Sequence, residues 1–235
     1  EKDETMTPLP VLDEYAPAQE LNNPKFVPIT YQLKKRGGFL PLTNELLRDS
    51  DQNILAYVTN WIARKVVVTR NSLITALLNG LTAKTLGDLK AVKRVLNVDL
   101  DPAISLNAVI ITNQDGFNWL DNQQDQQGRD LLQPDPTQPT RKLFKGRPVV
   151  SVSNRYLPSR EDAGQGKTFA PLYIGYGQQF AVLFTRGIYE LASTREGGEA
   201  WRRDSTELRV ITRDDLRQWD AAALVHGELD VTTAV

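Results

Sequence analysis

The run SDQNILAYVTNWIARKVVVTRNSLITALLN, Ser50 to Asn79, reads as one nearly uninterrupted helix. Apolar residues recur at Ile54, Val58, Trp61, Ile62, Val66, Leu73 and Leu77, with Thr69 filling the one gap. That three-to-four spacing is the mark of an amphipathic helix and predicts a single buried stripe. Asp49 or Ser50 is placed to cap its start, Gln52 stands in a capping-box relation to Asp49, and Gly80 offers a left-handed stop. At 1.5 Å per residue the run spans roughly 42 Å. A compact chain of this length has a radius of gyration of only about 17 Å. A helix of that proportion is a strut, and it points away from a compact enzyme.

Working outward, the 235 residues suit one domain or two small ones, and an apolar fraction of 40% allows a sizeable core. With 28 Lys and Arg against 29 Asp and Glu, the net charge of −1 gives no general attraction to nucleic acid or an anionic membrane. Local charge does gather at Lys34, Lys35 and Arg36. The absence of cysteine removes disulfides, thiolate metal sites and a cysteine nucleophile, and fits folding in the cytosol. No apolar run of membrane-spanning length and no signal-peptide pattern occurs, and there is no Asn-x-Ser/Thr acceptor. The first residue is Glu1 and the one methionine is Met6, as expected of a trimmed or proteolysed product.

Pro8, Pro10, Pro17, Pro24 and Pro28 lie among acidic and amide residues, so residues 1–28 are expected to form an extended arm. From Phe26 through Ile29, Tyr31 and Leu33 the chain alternates, then meets Gly37 and Gly38, which predicts one strand of a projecting hairpin turning at the glycines. After the strut, Thr85 is expected to cap a short helix through Leu96. A brief strand at Ala108–Thr112 and a short helix around Gly116–Leu120 follow. Asp121 to Thr140 reads as an amide-rich loop and Leu143 to Val152 as an interrupted strand. Ser159 to Thr168 reads as a further loop, and strands then fall in Phe169–Thr185, Gly187–Ser193, Glu207–Thr212 and Ala221–Gly227. The class is mixed α+β, without an internal repeat.

The inventory of catalytic groups is thin. Gly164, Gly166, Lys167 and Thr168 resemble the second half of a phosphate-binding loop, but Glu161 replaces the first glycine and Pro171 stands where the helix must begin. Asp121, Asp125 and Asp130 lack the turn glycine and the final glutamate of a calcium loop, with Gln126 and Leu132 in those places. His226, the sole histidine, is expected to be a half-buried strand residue. Asp214 and Asp215 are adjacent in what reads as a charged turn, so their side chains diverge. Trp61, Tyr173, Tyr176 and Phe180 are expected to be core. Arg202, Arg203 and Arg209 face Glu196, Glu199 and Asp204 in the same region, which suits subunit contacts. No catalytic residue, cofactor or metal is expected.

The order of parts resembles the major capsid proteins of tailed bacteriophages, with the fold named for phage Hong Kong 97. The pieces that carry the resemblance are Phe39 to Ser50, the long helix ending at Leu77-Leu-Asn-Gly80, Asn107 to Asn113, Gly128 to Leu132, Leu143 to Val150, and the ending from Ile188 to Gly227. It covers nearly the whole chain. The resemblance implies an N-arm and extended loop in residues 1–38, and a peripheral domain in 39–97 and 187–220 that carries the spine helix. It also implies an axial domain in 98–186 and 221–235. It further implies a structural virion protein that assembles as hexamers and pentamers into an icosahedral shell around double-stranded DNA. Scaffold, portal and maturation protease are implied partners, and assembly would take place in the host cytoplasm. Arms of this family overlap neighbouring subunits, which would give a proline-rich segment its order.

Within that resemblance the candidate contacts between subunits are Lys34, Lys35, Arg36, Arg64, Arg70, Arg202 and Arg203, with Arg64 and Arg70 on the outer face of the spine helix. Two other functions are open: an encapsulin-type compartment, which shares the fold, and a small hydrolase or nucleotide-binding enzyme acting through Gly164–Thr168 or the carboxylates near Asp214. The family's type member joins a lysine of the extended loop to a peripheral-domain asparagine. Here no asparagine follows Asn154, so Lys25, Lys34 and Lys35 lack that acceptor. Assembled particles boiled in denaturant should therefore run as monomers on a gel. A ladder of covalent oligomers would show the opposite.

Overall fold

A computed structural model of the chain describes residues 28–49, 53–125, 127–164, 166–187 and 189–232, together with Leu9, Val11, Pro17 and Glu20. The chain divides into a unit Glu1–Thr30 and a unit Tyr31–Val235, and the architecture below is that of the second. Most of the expected arm, including Phe26 and Lys25, and the expected helix start at Ser50–Gln52 lie outside the described residues.

The first strand, β1 (Lys34–Thr43), is followed directly by a short helix, α1 (Asn44–Asp49). The long helix, α2, runs over Ile54–Asn79, about 39 Å at the standard rise. Asn53 caps it, its side-chain oxygen accepting from the Ala56 N–H at 3.0 Å, so Asp49 closes α1 and has no part in starting α2. Gly80 is right-handed, with φ −76°, and its N–H continues the helical ladder to Ala76. The expected left-handed stop is absent because the chain leaves through one more helical turn.

Two cores share this helix. In the smaller one Val58 and Ile62 pack with Leu42 and Leu208, bordered by Leu40, Leu47, Ile54 and Val210. In the larger one Leu78 is buried and Leu77 lies partly buried against the same cluster. The stripe is not one-sided. Trp61, expected in the core, is 42% exposed, and Leu55, Tyr57, Val67, Val68 and Ile74 also face solvent. Apolar residues at consecutive positions such as Val66-Val67-Val68 project around the helix, and the narrow sheet beneath it covers only one side.

That narrow sheet consists of β1, β9 (Ala181–Thr185), β10 (Glu190–Thr194) and β11 (Ser205–Gln218). β11 is the centre: β1 and β10 pair with it antiparallel in the order β1-β11-β10, and β9 pairs with its second half. Leu40 is opposite Leu208 and Gly38 opposite Val210, which puts these residues on the α2 side. The strand passes straight through Gly37 and Gly38, so the expected hairpin turn is not there. The glycines serve the strand itself. A Cβ on Gly37 would lie 2.3 Å from the Val210 carbonyl oxygen, so no larger residue fits at that level. Asp214 and Asp215, expected in a turn, are buried inside β11 and point to opposite faces.

The larger sheet contains β2 (Lys84–Leu86), β3 (Val109–Asn113), β4 (Leu132–Pro134), β5 (Lys142–Phe144), β6 (Arg147–Val152), β7 (Arg160–Asp162), β8 (Lys167–Gly175) and β12 (Leu224–Asp230). Its order among the described residues is β2-β12-β8-β3-β6-β5-β4, with β7 added to β8. β3–β6 and β12–β2 are parallel and the other pairs antiparallel. β8 is buried from Phe169 to Gly175, the near-continuous apolar run of a central strand. Thr85 sits in β2, and Asp88 instead caps the helix α3 (Leu89–Arg94), which runs on as a π-helical turn to Asp99. The interrupted strand is a hairpin, β5–β6, turning at Lys145 and Gly146, both at positive φ. α4 (Pro102–Ser105) and α5 (Gln114–Asp121) complete this half.

β12 ends in two carboxylates that hold the β7–β8 hairpin. Arg160 donates to Glu228 through Nε at 3.0 Å and Nη2 at 2.6 Å, and Lys167 donates to Asp230 at 2.8 Å. Those Arg160 bonds lower the pKa of Glu228, and Lys167 with Thr232 brings Asp230 down to about 2 from 3.8. Both groups bind a proton less readily folded than unfolded. Their contribution is therefore full above the unfolded values and is lost as pH falls toward 2. Thermal midpoints should drop between about pH 4 and pH 2, and Asp230→Asn should make that drop shallower. Gly37→Ala should cost about 1–3 kcal/mol through overpacking, measured as a lower urea midpoint at unchanged m.

Candidate assembly surface

A buried cluster of charge sits where α2 crosses the small sheet. Asp214 is fully buried, and Arg36 Nη1 donates to both its carboxylate and its backbone carbonyl. Arg70 Nε lies 3.7 Å from the other carboxylate oxygen, and Thr212 Oγ1 is 3.2 Å from it. One carboxylate thus ties β1, α2 and β11 together. A buried charge is tolerable only with such compensation. Arg70, expected on the outer face of the helix, is turned inward to this cluster, and Arg36 is likewise committed to it. Arg64, expected on that same face, is exposed.

Asp215 serves the opposite face of β11. Burial pushes its pKa up, but the Gln32 N–H at 2.8 Å and Arg217 Nε at 2.7 Å outweigh this and leave it lowered. Lys34 adds to that lowering through its charge. Sequence reading missed both aspartates as structural groups. The available signal was their position in an apolar alternation, Val210-Ile211-Thr212 before and Leu216 after, with Arg213 and Arg217 beside them.

Lys35 stands directly opposite Arg213, both exposed, and neither side chain has an ion pair among the described residues. Beside them a groove of about 370 Å³ opens between α2 and β1, lined by Arg36, Gly37, Gly38, Phe39, Trp61 and Lys65. Phe39 is 68% exposed, and Lys65 lies over the Trp61 ring at 4.6 Å. At the other end of the sheet, the loop between β10 and β11 buries Ala200 yet presents Trp201 at 77% exposure. Arg202 and Arg203 follow it, and Arg203 pairs with Glu199 at 2.5 Å on the surface. A solvated pair of this kind is worth about 1 kcal/mol or less.

The motifs that could have carried chemistry have structural places. Gly164 and Gly166 lie in the β7–β8 turn, and Lys167 and Thr168 begin β8, with Lys167 on Asp230. His226 is half-buried, its Nδ1 donating to the Leu81 carbonyl at 3.0 Å and its ring stacked 4.5 Å from Tyr173. The Tyr173 hydroxyl donates to Asn79 at 2.9 Å, and burial, then the Glu228 charge, pushes its pKa up to about 12. Among the described residues no three His, Asp or Glu side chains gather as a metal site would need, and no helix is long and apolar enough to cross a membrane.

A search among curated proteins found no match to this sequence. Solved structures with the same fold include the capsid of a native GTA particle, at TM-score 0.67 and 18% identity over 93% of this chain and 79% of that one. The mature capsid of bacteriophage PhiM1 follows at TM-score 0.57 and 8% identity, over 93% and 78%. The SrpI encapsulin of Synechococcus elongatus matches at 0.56 and 15%, over 91% and 78%. The fold expected from the arrangement of the long helix and its two sheets is thus the capsid fold. The sequence model of the Phage capsid family matches residues 10–229, and the chain belongs to that family.

Proposed function

We propose that this structural capsid protein closes with copies of itself, as hexamers and pentamers, into an icosahedral shell around double-stranded DNA. Its role in the virion capsid is architectural, not enzymatic. The observation that carries the shell reading is the state of α2. A helix of 26 residues buries Val58, Ile62, Val66 and Leu78 and still exposes Leu55, Tyr57, Val67, Val68 and Ile74. Apolar side chains exposed on more than one side of an ordered helix are surface that neighbouring copies cover in the assembled form.

In this reading the small sheet with α2 is the peripheral domain, and the larger sheet is the axial domain around capsomer centres. By packing, β2 and α3 go with the axial part and β9 with the peripheral part. Lys34, Lys35, Arg64, Arg202 and Arg203 supply charged contacts between subunits, while Arg36 and Arg70 work within the subunit at Asp214. Scaffold, portal and a maturation protease complete the assembly. The same fold serves an encapsulin, so the contents of the particle discriminate: nuclease-protected double-stranded DNA marks the virus-type shell, and packaged enzyme marks a compartment.

Electron microscopy of the purified protein should show closed shells or capsomer rings. Arg64→Glu and Val68→Asp change only exposed positions, so the subunit should keep its thermal midpoint within a few degrees. Each should raise the concentration needed for assembly about tenfold, equivalent to roughly 1.4 kcal/mol per contact. Wild-type assembly by both variants would remove α2 from the interface.

A further inference from the structure

The small sheet has two open edges of opposite charge. β1 and β10 are its outer strands, and among the described residues neither has a partner beyond β11. Both run antiparallel to β11, so both point the same way. β10 is exposed along its whole length and begins with Glu190, which has no ion pair among the described residues. β1 begins with Lys34, Lys35 and Arg36. Open edges with free N–H and C=O groups are templates for another strand.

We propose that β10 of one copy adds, in parallel, to the outer edge of β1 of the next, with Glu190 level with Lys35. This rests on the shell reading above and specifies one of its contacts. Three features select this pairing. Glu190 is in the same row as Ile211 and Gly37, so its side chain lies on the face that carries Lys35, two residues from Gly37. There it would meet Lys35 and Arg213, whose like charges stand opposite each other uncompensated within one subunit. Leu191 is in the row of Val210, on the α2 face, and in this register would lie level with Arg36, at the Arg36 end of the groove between α2 and β1.

The lengths agree as well. Five residues of β10 span Lys35 to Phe39 and stop before Pro41, which has no N–H to offer. Two copies of the β1 edge facing each other would bring no acid to Lys35, and two β10 edges would bring no cation to Glu190. The contact is therefore head to tail, the kind that closes into rings.

The chain has no cysteine, so a Lys35→Cys, Glu190→Cys double variant reports on this contact without background. Within one subunit the two positions are separated by the intervening β11 and offset by two residues, roughly 12 Å, too far for a disulfide. Oxidised particles should run as a ladder of oligomers on a non-reducing denaturing gel and collapse to monomers with dithiothreitol. In parallel, Lys35→Glu and Glu190→Lys should each reduce particle yield at least tenfold, and the charge-swapped double variant should restore it to within about threefold. Particles of the cysteine variant that stay monomeric on the gel, or a double swap as defective as its singles, would overturn the strand pairing and leave the shell intact. Wild-type protein that forms no particles would instead sink the shell reading.

Discussion

The interaction on which the rest depends is the sharing of α2 between two cores. Val58 and Ile62 belong to the small core and Leu78 to the large one, about 24–30 Å away along the helix axis. A helix is stiff over that span, so the sheets it joins are held at a distance that neither could set alone. Both ends of the contact are specific. At the far end, Asn79 receives the Tyr173 hydroxyl and Leu81 the His226 ring, which seats the helix exit on β8 and β12. At the near end, a few Val, Ile and Leu side chains, each worth about 1.5–3 kcal/mol when fully buried, hold it to β1 and β11.

Between those ends the buried Asp214 sets the register. Hydrophobic contact is non-directional and would let α2 slide along the sheet by a turn. A carboxylate that must be met by Arg36 from β1 and Arg70 from α2 has only one position that satisfies both. Removing one partner of such a cluster leaves a charge in the interior, a loss of about 3–5 kcal/mol. The cost of burying the pair is thereby exchanged for a single crossing point of helix and sheet. The same commitment takes Arg36 and Arg70 out of the set of cations available to other subunits.

The length of α2 was legible in the sequence because it is a local property, and so were β3, α5 and the presence of a strand from Phe169. What was not legible depended on partners distant in the chain. Gly37-Gly38 has the composition of a turn, and only the closeness of Val210, far along the sequence, makes it a strand. Asp214-Asp215 likewise reads as a charged turn until Arg36, Arg70 and Gln32 are brought to it. Trp61 falls in the apolar period of α2, yet the sheet beneath is too narrow to reach it. Thr85 was passed over as a cap because β12 claims it as a strand residue, leaving Asp88 to begin the helix.

A module built this way is complete in specification but not in burial. Its helix position is fixed by charge, its sheet is ordered by a central β11, and yet its core is small and, among the described residues, both its edges are open. In a monomeric protein this combination is a liability, since exposed edges and an apolar helix face invite uncontrolled association. In a shell it is the converse. Rigid register makes each exposed feature present the same geometry to every neighbour, and closed symmetry consumes the edges without leaving any free. The opposed charges at Lys35 and Glu190 supply the direction that an apolar face lacks. Burial alone would favour association in many orientations, whereas a basic edge that accepts only an acidic one restricts growth to a head-to-tail sense that can close.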